Sequence, residues 1–300
     1  MGKTVLILGA HGRFGHHATV AFNSAGWTVR SFDRSRDNLM QAAQGVQVIV
    51  AGWNPAYPDW ASQLPGLHKQ IRQAALAADA TVILPGNLYV FGAETPAPWG
   101  EDSPHRAQNP LGRIRVELEA AYRRDGVRTI LLRAGDFLDT RASGNWFDRM
   151  MAPSLAKDKL TYPGRTDADH AWAYLPDLTR AAVQLAEARQ GLARFEDIPF
   201  PGYTLTGAQM AGHLSAALGR AISVKQMAWW PLSFARLVMP VAKHLLEMRY
   251  LWNVPHQLDG SKFERLLPNF QHTPVAHALA TAASPVLAGK AKPSGMTAEA

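Results

Sequence analysis

Residues 3–15 read KTVLILGAHGRFG. The run from Thr4 to Leu8 has no polar alternation, as a strand covered on both faces requires. It ends at Gly9, and Gly12 and Gly15 complete a G-x-x-G-x-x-G pattern where helical spacing begins. Glycines at such a strand–loop–helix junction permit a tight turn, close backbone approach to a diphosphate and close packing of helix on strand. The first turn of the helix adds outward-facing N–H groups and a partial positive charge. The junction therefore predicts a dinucleotide site contacted by Gly9, His11, Gly12, Arg13, Phe14 and Gly15.

Outward from this loop the pattern alternates. RFGHHATVAFNSAG is helical in spacing and stops at Gly26, and WTVRSFDR reads as a second strand. SRDNLMQAAQG has a Ser start and a Gly stop, which predicts a short helix, and VQVIVAG is a third strand. LPGLHKQIRQAALAADA, TVILPG, LGRIRVELEAAYRRDG and VRTILLRAG continue as helix, strand, helix, strand. AWAYLPDLTRAAVQLAEA is amphipathic, with Pro176 and Asp177 at the start of a helix. Strands alternating with helices imply βαβ units on a parallel sheet. The expected fold class is α/β, a Rossmann-type doubly wound parallel sheet with a smaller, mostly helical C-terminal lobe. Residues 1–190 are expected to form the dinucleotide-binding domain, 191–286 the substrate lobe, and 287–300 a disordered tail without apolar periodicity.

The 300 residues include no cysteine, so disulfides and thiolate metal sites are excluded. The formal charge of +7 comes from scattered Arg and Lys, with no basic run or interleaved aromatic stripe, so no nucleic-acid partner is expected. The first residues lack a signal-peptide pattern, and a cytoplasmic location is the expectation. MAWWPLSFARLVMPVAKHLL, Met227 to Leu246, is long enough to span a bilayer. It is interrupted by Arg236 and Lys243 and broken by Pro231 and Pro240. It is expected to be a buried or lid-like helical piece, and membrane contact is not expected.

Asp33 ends the second strand, where a carboxylate accepts hydrogen bonds from ribose hydroxyls and favours NAD. Arg34 and Arg36 follow, and guanidinium groups there suit the 2′-phosphate of NADP. The choice between NAD and NADP stays open.

With these motifs in order, the chain resembles the short-chain dehydrogenase/reductase superfamily, in its extended and atypical NAD-dependent epimerase/dehydratase branch. ILPGNLYVFG resembles the strand and loop that normally end Ser-Ser-x-x-Val-Tyr-Gly. LGRIRVELE resembles the helix that normally begins Tyr-Gly-x-Ser-Lys. LLRAGDFLD and WAYLPDLTRAA resemble later family segments. The resemblance covers roughly residues 3 to 190 and implies a dinucleotide cofactor, no metal, a small-molecule substrate and pairing into a homodimer. Two departures stand out. The stretch from Asp33 to Val46 is too short for the family's extra strand and helix, so one sheet strand is expected to be missing. The catalytic set is also altered: Asn87 stands for Ser or Thr, Leu111 for Tyr and Arg115 for Lys.

Leu111 has no proton to give, whereas Arg115 retains hydrogen bonds for a ribose. If chemistry survives, Tyr89 is the first candidate acid, with Asn87 and Arg115 completing the catalytic set. Asp136 is expected to serve a turn or cap and His105 to be a solvated loop residue. Trp53, Asn54 and Tyr57 follow the third strand, where ligands of open α/β sheets bind; Trp53 and Asn54 are expected to contact the cofactor. Asp167, Asp169 and His170 lie close in sequence but lack an i, i+4 pair of metal ligands. The expected function is an NAD(P)-binding oxidoreductase or epimerase-like protein acting on a small polar carbonyl or sugar-like substrate. The alternative is a non-catalytic NAD(P)-binding sensor.

Overall fold

The computed structural model describes residues 2–289. In chain order the main elements are β1 (Thr4–Leu8), α1 (Arg13–Ser24), β2 (Thr28–Phe32), α2 (Leu39–Ala42), β3 (Val48–Ala51), α3 (Trp60–Ala78), β4 (Thr81–Gly86), α4 (Pro110–Arg124), β5 (Thr129–Arg133) and β6 (Asp136–Leu138). They continue with β7 (Lys159–Tyr162), β8 (Ala171–Tyr174), α5 (Leu175–Ala188), β9 (Phe195–Pro199), β10 (Tyr203–Thr204), α6 (Gly207–Leu218), β11 (Ser223–Gln226), α7 (Trp230–Ala235), α8 (Pro240–Glu247), α9 (Ser261–Leu266) and α10 (Val275–Leu287).

Six strands pair in the order β2-β1-β3-β4-β5-β9, all parallel. The apolar runs explain the two covered faces. Val5, Ile7, Val48, Val50 and Ile83 join the core with Phe14, Phe22, Leu178 and Leu185 of α1 and α5. The alternate residues Leu6, Leu8, Ile49, Val82 and Leu84 join the opposite core with Trp60, Leu64, Ile71 and Leu118 of α3 and α4. A side-chain period of two thus serves both faces at once. β2 forms the edge, so the strand expected to be missing from the sheet is indeed absent among the described residues.

Four expectations need correction. The short helix α2 begins after Asn38, whose Oδ1 accepts the N–H of Gln41 at 3.1 Å; Ser35 is committed to Asp33 and does not cap it. The first residues of AWAYLPDLTRAA form strand β8, and the helix starts at Leu175. The sheet does not end at residue 190. The chain leaves α5 and returns as β9, which pairs with β5. Conversely Phe147, Met151, Leu160 and Tyr162 pack with Met210, Leu214, Leu279 and Ala282 in a third core, that of the lobe. Finally, the 227–246 segment is buried only at its base. Trp229 and Leu245 are buried, but Trp230, Phe234, Leu237 and Val238 are exposed. No helix among the described residues is long and apolar enough to cross a membrane. The tail expected to be disordered lies outside the described residues from Lys290 on, while Leu287 is the last residue of α10.

Two histidines, His68 and His256, are buried. The ring of His68 on α3 meets the Tyr122 hydroxyl of α4 at 2.8 Å, and burial, reinforced by Arg115 and Arg72, pushes its pKa down to about 3. His256 stacks on Trp99 at 4.7 Å, and burial, then His170, likewise lowers its pKa to about 3. Both are neutral when folded, whereas the unfolded chain takes up their protons near 6.5. Their contribution is complete above that pH and is lost as pH falls toward 3. Each steepens the acid loss of stability by up to about 1.4 kcal/mol per pH unit. Denaturant unfolding between pH 7 and pH 5 is therefore expected to show a falling midpoint, with a shallower slope in His68→Gln.

Candidate dinucleotide and substrate site

The loop after β1 is built by steric exclusion. Gly9 adopts φ +76°, and a Cβ there would lie 2.8 Å from the carbonyl oxygen of Gly52. A Cβ on Gly15 would lie 2.0 Å from the oxygen of Gly9, inside any tolerable contact. Gly52, at the end of β3, approaches the oxygen of Leu8 in the same way, at 2.9 Å. The N–H of Gly12 donates to the Gly9 oxygen at 2.9 Å and closes the turn. Gly12 is the N-cap of α1, whose first turn carries no acidic residue, so the positive end of the helix is not neutralised locally.

Beside this loop a cleft of about 1250 Å³, including its open mouth, runs along the carboxyl ends of β1, β3, β4 and β5. Arg13, Phe14, Trp53, Asn54, Asn87, Tyr89 and Arg115 line it together with Tyr57, Asp136 and His170. His11 is exposed at the crest of the loop and does not line the cleft. Gly9, Gly12 and Gly15 form the backbone cradle rather than the lining. Arg13 and Arg149 both line the cleft near Gly144, with Arg13 Nε donating to the Ser143 oxygen at 3.2 Å. Both side-chain amide atoms of Asn54 are buried without a protein partner among the described residues. Buried polar atoms are ordinarily satisfied, so this amide marks a position for a ligand hydrogen bond.

At the β2 end, Asp33 is drawn into its own turn. Its Oδ1 accepts from Ser35 N–H (2.9 Å) and hydroxyl (2.6 Å), and its Oδ2 from Arg36 Nε (2.7 Å). These bonds from Ser35, then Arg36, pull its pKa down to about 2. Arg34 instead lies over the Trp53 ring at 4.9 Å. The cation, more than the carboxylate, is thus presented beside a cleft-lining residue.

The centre of the cleft is aromatic. The hydroxyls of Tyr57 and Tyr89 meet at 2.5 Å, and Trp60 stacks on Tyr89 with ring centres 6.1 Å apart. Asn87 Oδ1 accepts the N–H of Tyr89 at 3.1 Å, and the Asn87 carbonyl accepts from Arg133 at 2.7 Å. Arg133 is fully buried and forked between Glu119 (2.8 Å) and Asp197 (2.5 Å), so α4 and β9 together hold the loop carrying Tyr89. Burial pushes the Tyr57 phenol up to about 12 and raises Tyr89 well above its usual value. Arg115 donates to the Pro85 carbonyl at 2.7 Å, and its Nε, buried, has no hydrogen-bond partner among the described residues.

Several partners were missed by sequence reasoning. Asp136, weighed as a crevice residue but expected in a turn or cap, bonds His170 at 2.7 Å on the cleft wall. Asp167 pairs with Arg165. Glu247 of α8 accepts the N–H of Leu111 at 2.7 Å and the amide of Asn109 at 2.9 Å, so the lobe caps α4 at the altered tyrosine position. Leu111 itself is buried in the core. His105 lies outside the cleft lining, edge-on to Phe91. It approaches Glu119 and Asp197, but Arg133 already supplies the cation between those carboxylates.

Neither a protein-family model nor a curated protein matches the chain. Solved structures do. A nucleoside-diphosphate-sugar epimerase from Pseudomonas aeruginosa superposes with a TM-score of 0.70 at 16% identity, covering 95% of this chain and 97% of that one. TunA, an NAD-dependent NDP-hexosamine 5,6-dehydratase of tunicamycin biosynthesis, gives 0.71 at 15%, covering 94% and 97%. The UDP-glucose-4-epimerase from Stenotrophomonas maltophila, solved with bound NAD, gives 0.71 at 13%, covering 96% and 99%. The chain shares the α/β fold of these structures, a parallel six-stranded sheet flanked by helices. Asn87 follows β4, and Leu111 and Arg115 lie on α4.

The glycine contacts yield a paired prediction. Gly15→Ala is expected to cost about 1–3 kcal/mol of stability through overpacking and to weaken dinucleotide binding. Gly66→Ala, on α3 with open space around it, is expected to be neutral or to stabilise by up to about 1 kcal/mol. Thermal unfolding and dye-displacement titration of both variants check this.

Proposed function

We propose that the protein is an NAD(P)-dependent oxidoreductase, epimerase-like in fold, that reduces a small polar carbonyl or sugar-like substrate using a relocated tyrosine acid. The observation that carries this reading is the Tyr57–Tyr89 hydroxyl pair on the cleft wall, with Tyr57 buried and Tyr89 partly exposed to the cleft. The dinucleotide fits the residues present. The glycine cradle and the α1 N-terminus would take the diphosphate, Arg13 and Arg149 would add positive charge, and Asn54 and Arg115 would offer hydrogen bonds toward ribose and nicotinamide. The adenosine end offers Arg34 beside Trp53, which suits a 2′-phosphate and favours the phosphorylated dinucleotide. When bound, the reduced nicotinamide supplies the hydride.

The protein's part is then proton supply and orientation. A phenol is protonated at neutral pH, and burial raises both pKa values further, so the pair enters the reaction as hydrogen-bond and proton donors. Tyr89 donates its proton to the substrate oxygen as that oxygen gains negative charge. Tyr57, in hydrogen-bond contact, stabilises the phenolate left on Tyr89 until water entering the open cleft returns its proton. Asn87 holds the backbone of Tyr89 in place. Leu111, sealed by Glu247, takes no part.

A second reading rests on that same sealed Leu111: a dinucleotide-binding sensor without turnover. The two are separated by supplying carbonyl compounds with NADPH or NADH and following cofactor absorbance. Turnover is expected, with tighter binding of NADPH. Tyr89→Phe is expected to lower kcat by about 10²–10⁴-fold while dinucleotide affinity stays within about twofold. Tyr57→Phe should have a smaller effect. Turnover unaffected by either change would remove the phenol pair from the mechanism, and tight binding with no turnover would establish the sensor.

A further inference from the structure

The lobe ends in a helical hairpin whose base and tip differ sharply. At the base, Trp229 is buried with its indole N–H on the Pro163 carbonyl at 2.5 Å. Val241, Ala242 and Leu245 of α8 are buried, and Glu247 is bonded to the start of α4. At the tip, Trp230 and Phe234 are each 68% exposed, Leu237 is 80%, Val238 82% and Met239 40%. The turn between α7 and α8 is closed by backbone hydrogen bonds from Val238 and Met239 to the Ala235 carbonyl, so these side chains are held outward on ordered backbone. Trp230 and Phe234 stand edge to face at 6.3 Å.

Isolated exposed apolar residues are ordinary, but a contiguous set of large ones is not. Of the nine large apolar side chains exposed among the described residues, five fall within residues 230–239. Charge identifies what covers them. No acidic residue occurs between Asp197 and Glu247, whereas Arg220, Lys225, Arg236 and Lys243 do. Arg236, within the tip, and Lys243, four residues beyond Met239, are both exposed. An aromatic and aliphatic tip rimmed by cations is the composition that sits at the boundary of headgroups and acyl chains, where Trp and Phe partition and Lys and Arg meet lipid phosphates.

We propose that the Trp230–Met239 tip docks on an anionic lipid bilayer, with Trp230, Phe234, Leu237 and Val238 entering the interface and Arg236 and Lys243 contacting anionic headgroups. The two helices are too short to span. The contact is peripheral, with the sheet and its cleft on the aqueous side. This surface is distinct from the cleft, so the inference stands independently of the proposed turnover.

Co-sedimentation of the full chain with phosphatidylcholine vesicles, with and without phosphatidylglycerol, tests it. The chain is expected to pellet with the anionic vesicles, to do so less at high salt, and to have its Trp230 fluorescence quenched by acyl-brominated lipid. Trp230→Ser, Phe234→Ser and Leu237→Ser should each lower vesicle partition roughly tenfold. Arg236→Glu and Lys243→Glu should each lower the phosphatidylglycerol-dependent part about fivefold. Because all five side chains are exposed, thermal unfolding and dinucleotide binding should be unchanged, which keeps a loss of vesicle binding from being a loss of fold. Absence of pelleting with both vesicle types, or pelleting that survives the triple serine variant, overturns the proposal. So does a wild-type oligomer that the triple variant converts to monomer without any vesicle binding, which would assign the tip to a second copy of the chain.

Discussion

The structure depends on one crowded point, where the oxygen of Gly9 meets the first turn of α1 and the carbonyl of Gly52 closes from β3. Three backbones pass there at distances that leave no room for a Cβ. That proximity seats α1 deep against the sheet and brings its N-terminus to the ends of β1 and β3. The cleft exists because the helix begins there rather than farther out. A phosphate group placed at this point would meet helix N–H groups directly, without a side chain between.

Around that point the cleft is held by long-range polar contacts. Arg133, buried between Glu119 and Asp197, reaches the carbonyl of Asn87, and Asn87 positions Tyr89. A buried charge set of this kind contributes little net stability, but removing one partner is costly because the others stay desolvated. The loop carrying Tyr89 is therefore determined by α4, β5 and β9 together. On the other side, Glu247 brings α8 onto the start of α4. Leu111 lies buried under that cap, and the two phenols of the cleft, Tyr57 and Tyr89, stand after β3 and β4.

Much of the fold was legible in the sequence, and for local reasons. Unbroken apolar runs such as TVLIL and VIVA can serve only strands covered on both sides, and the glycine spacing allows few junctions. The short Asp33–Val46 stretch announced the missing edge strand. The errors also have local causes. Ser35 resembled a helix cap, but Asp33 claims it, and Asn38 caps α2. The return of the chain to the sheet as β9 was hidden because FEDIP is short and carries two carboxylates, whose partners Arg133 and Lys262 lie far away in sequence. The site was legible only at the loop and along the strand ends. The Tyr57–Tyr89 and Asp136–His170 contacts join residues more than thirty positions apart, and Glu247 reaches Leu111 across 136. No spacing rule reports such pairs. The charges and prolines of the 227–246 segment pointed to a buried or lid-like piece; which of its apolar side chains face water is set by where Trp229 and α8 anchor it.

The central claim is that a dinucleotide lies along the strand ends with its diphosphate on the opening of α1. Hydrogen–deuterium exchange with and without NADPH tests it most directly, because a bound ligand slows exchange of the amides it covers. The account predicts slowed exchange in peptides spanning Gly9–His16, Ala51–Asn54 and Gly86–Tyr89, with little change in α6 or α10. Unchanged exchange in the Gly9–His16 peptide at saturating NADPH and NADH, or protection confined to the lobe, would contradict it.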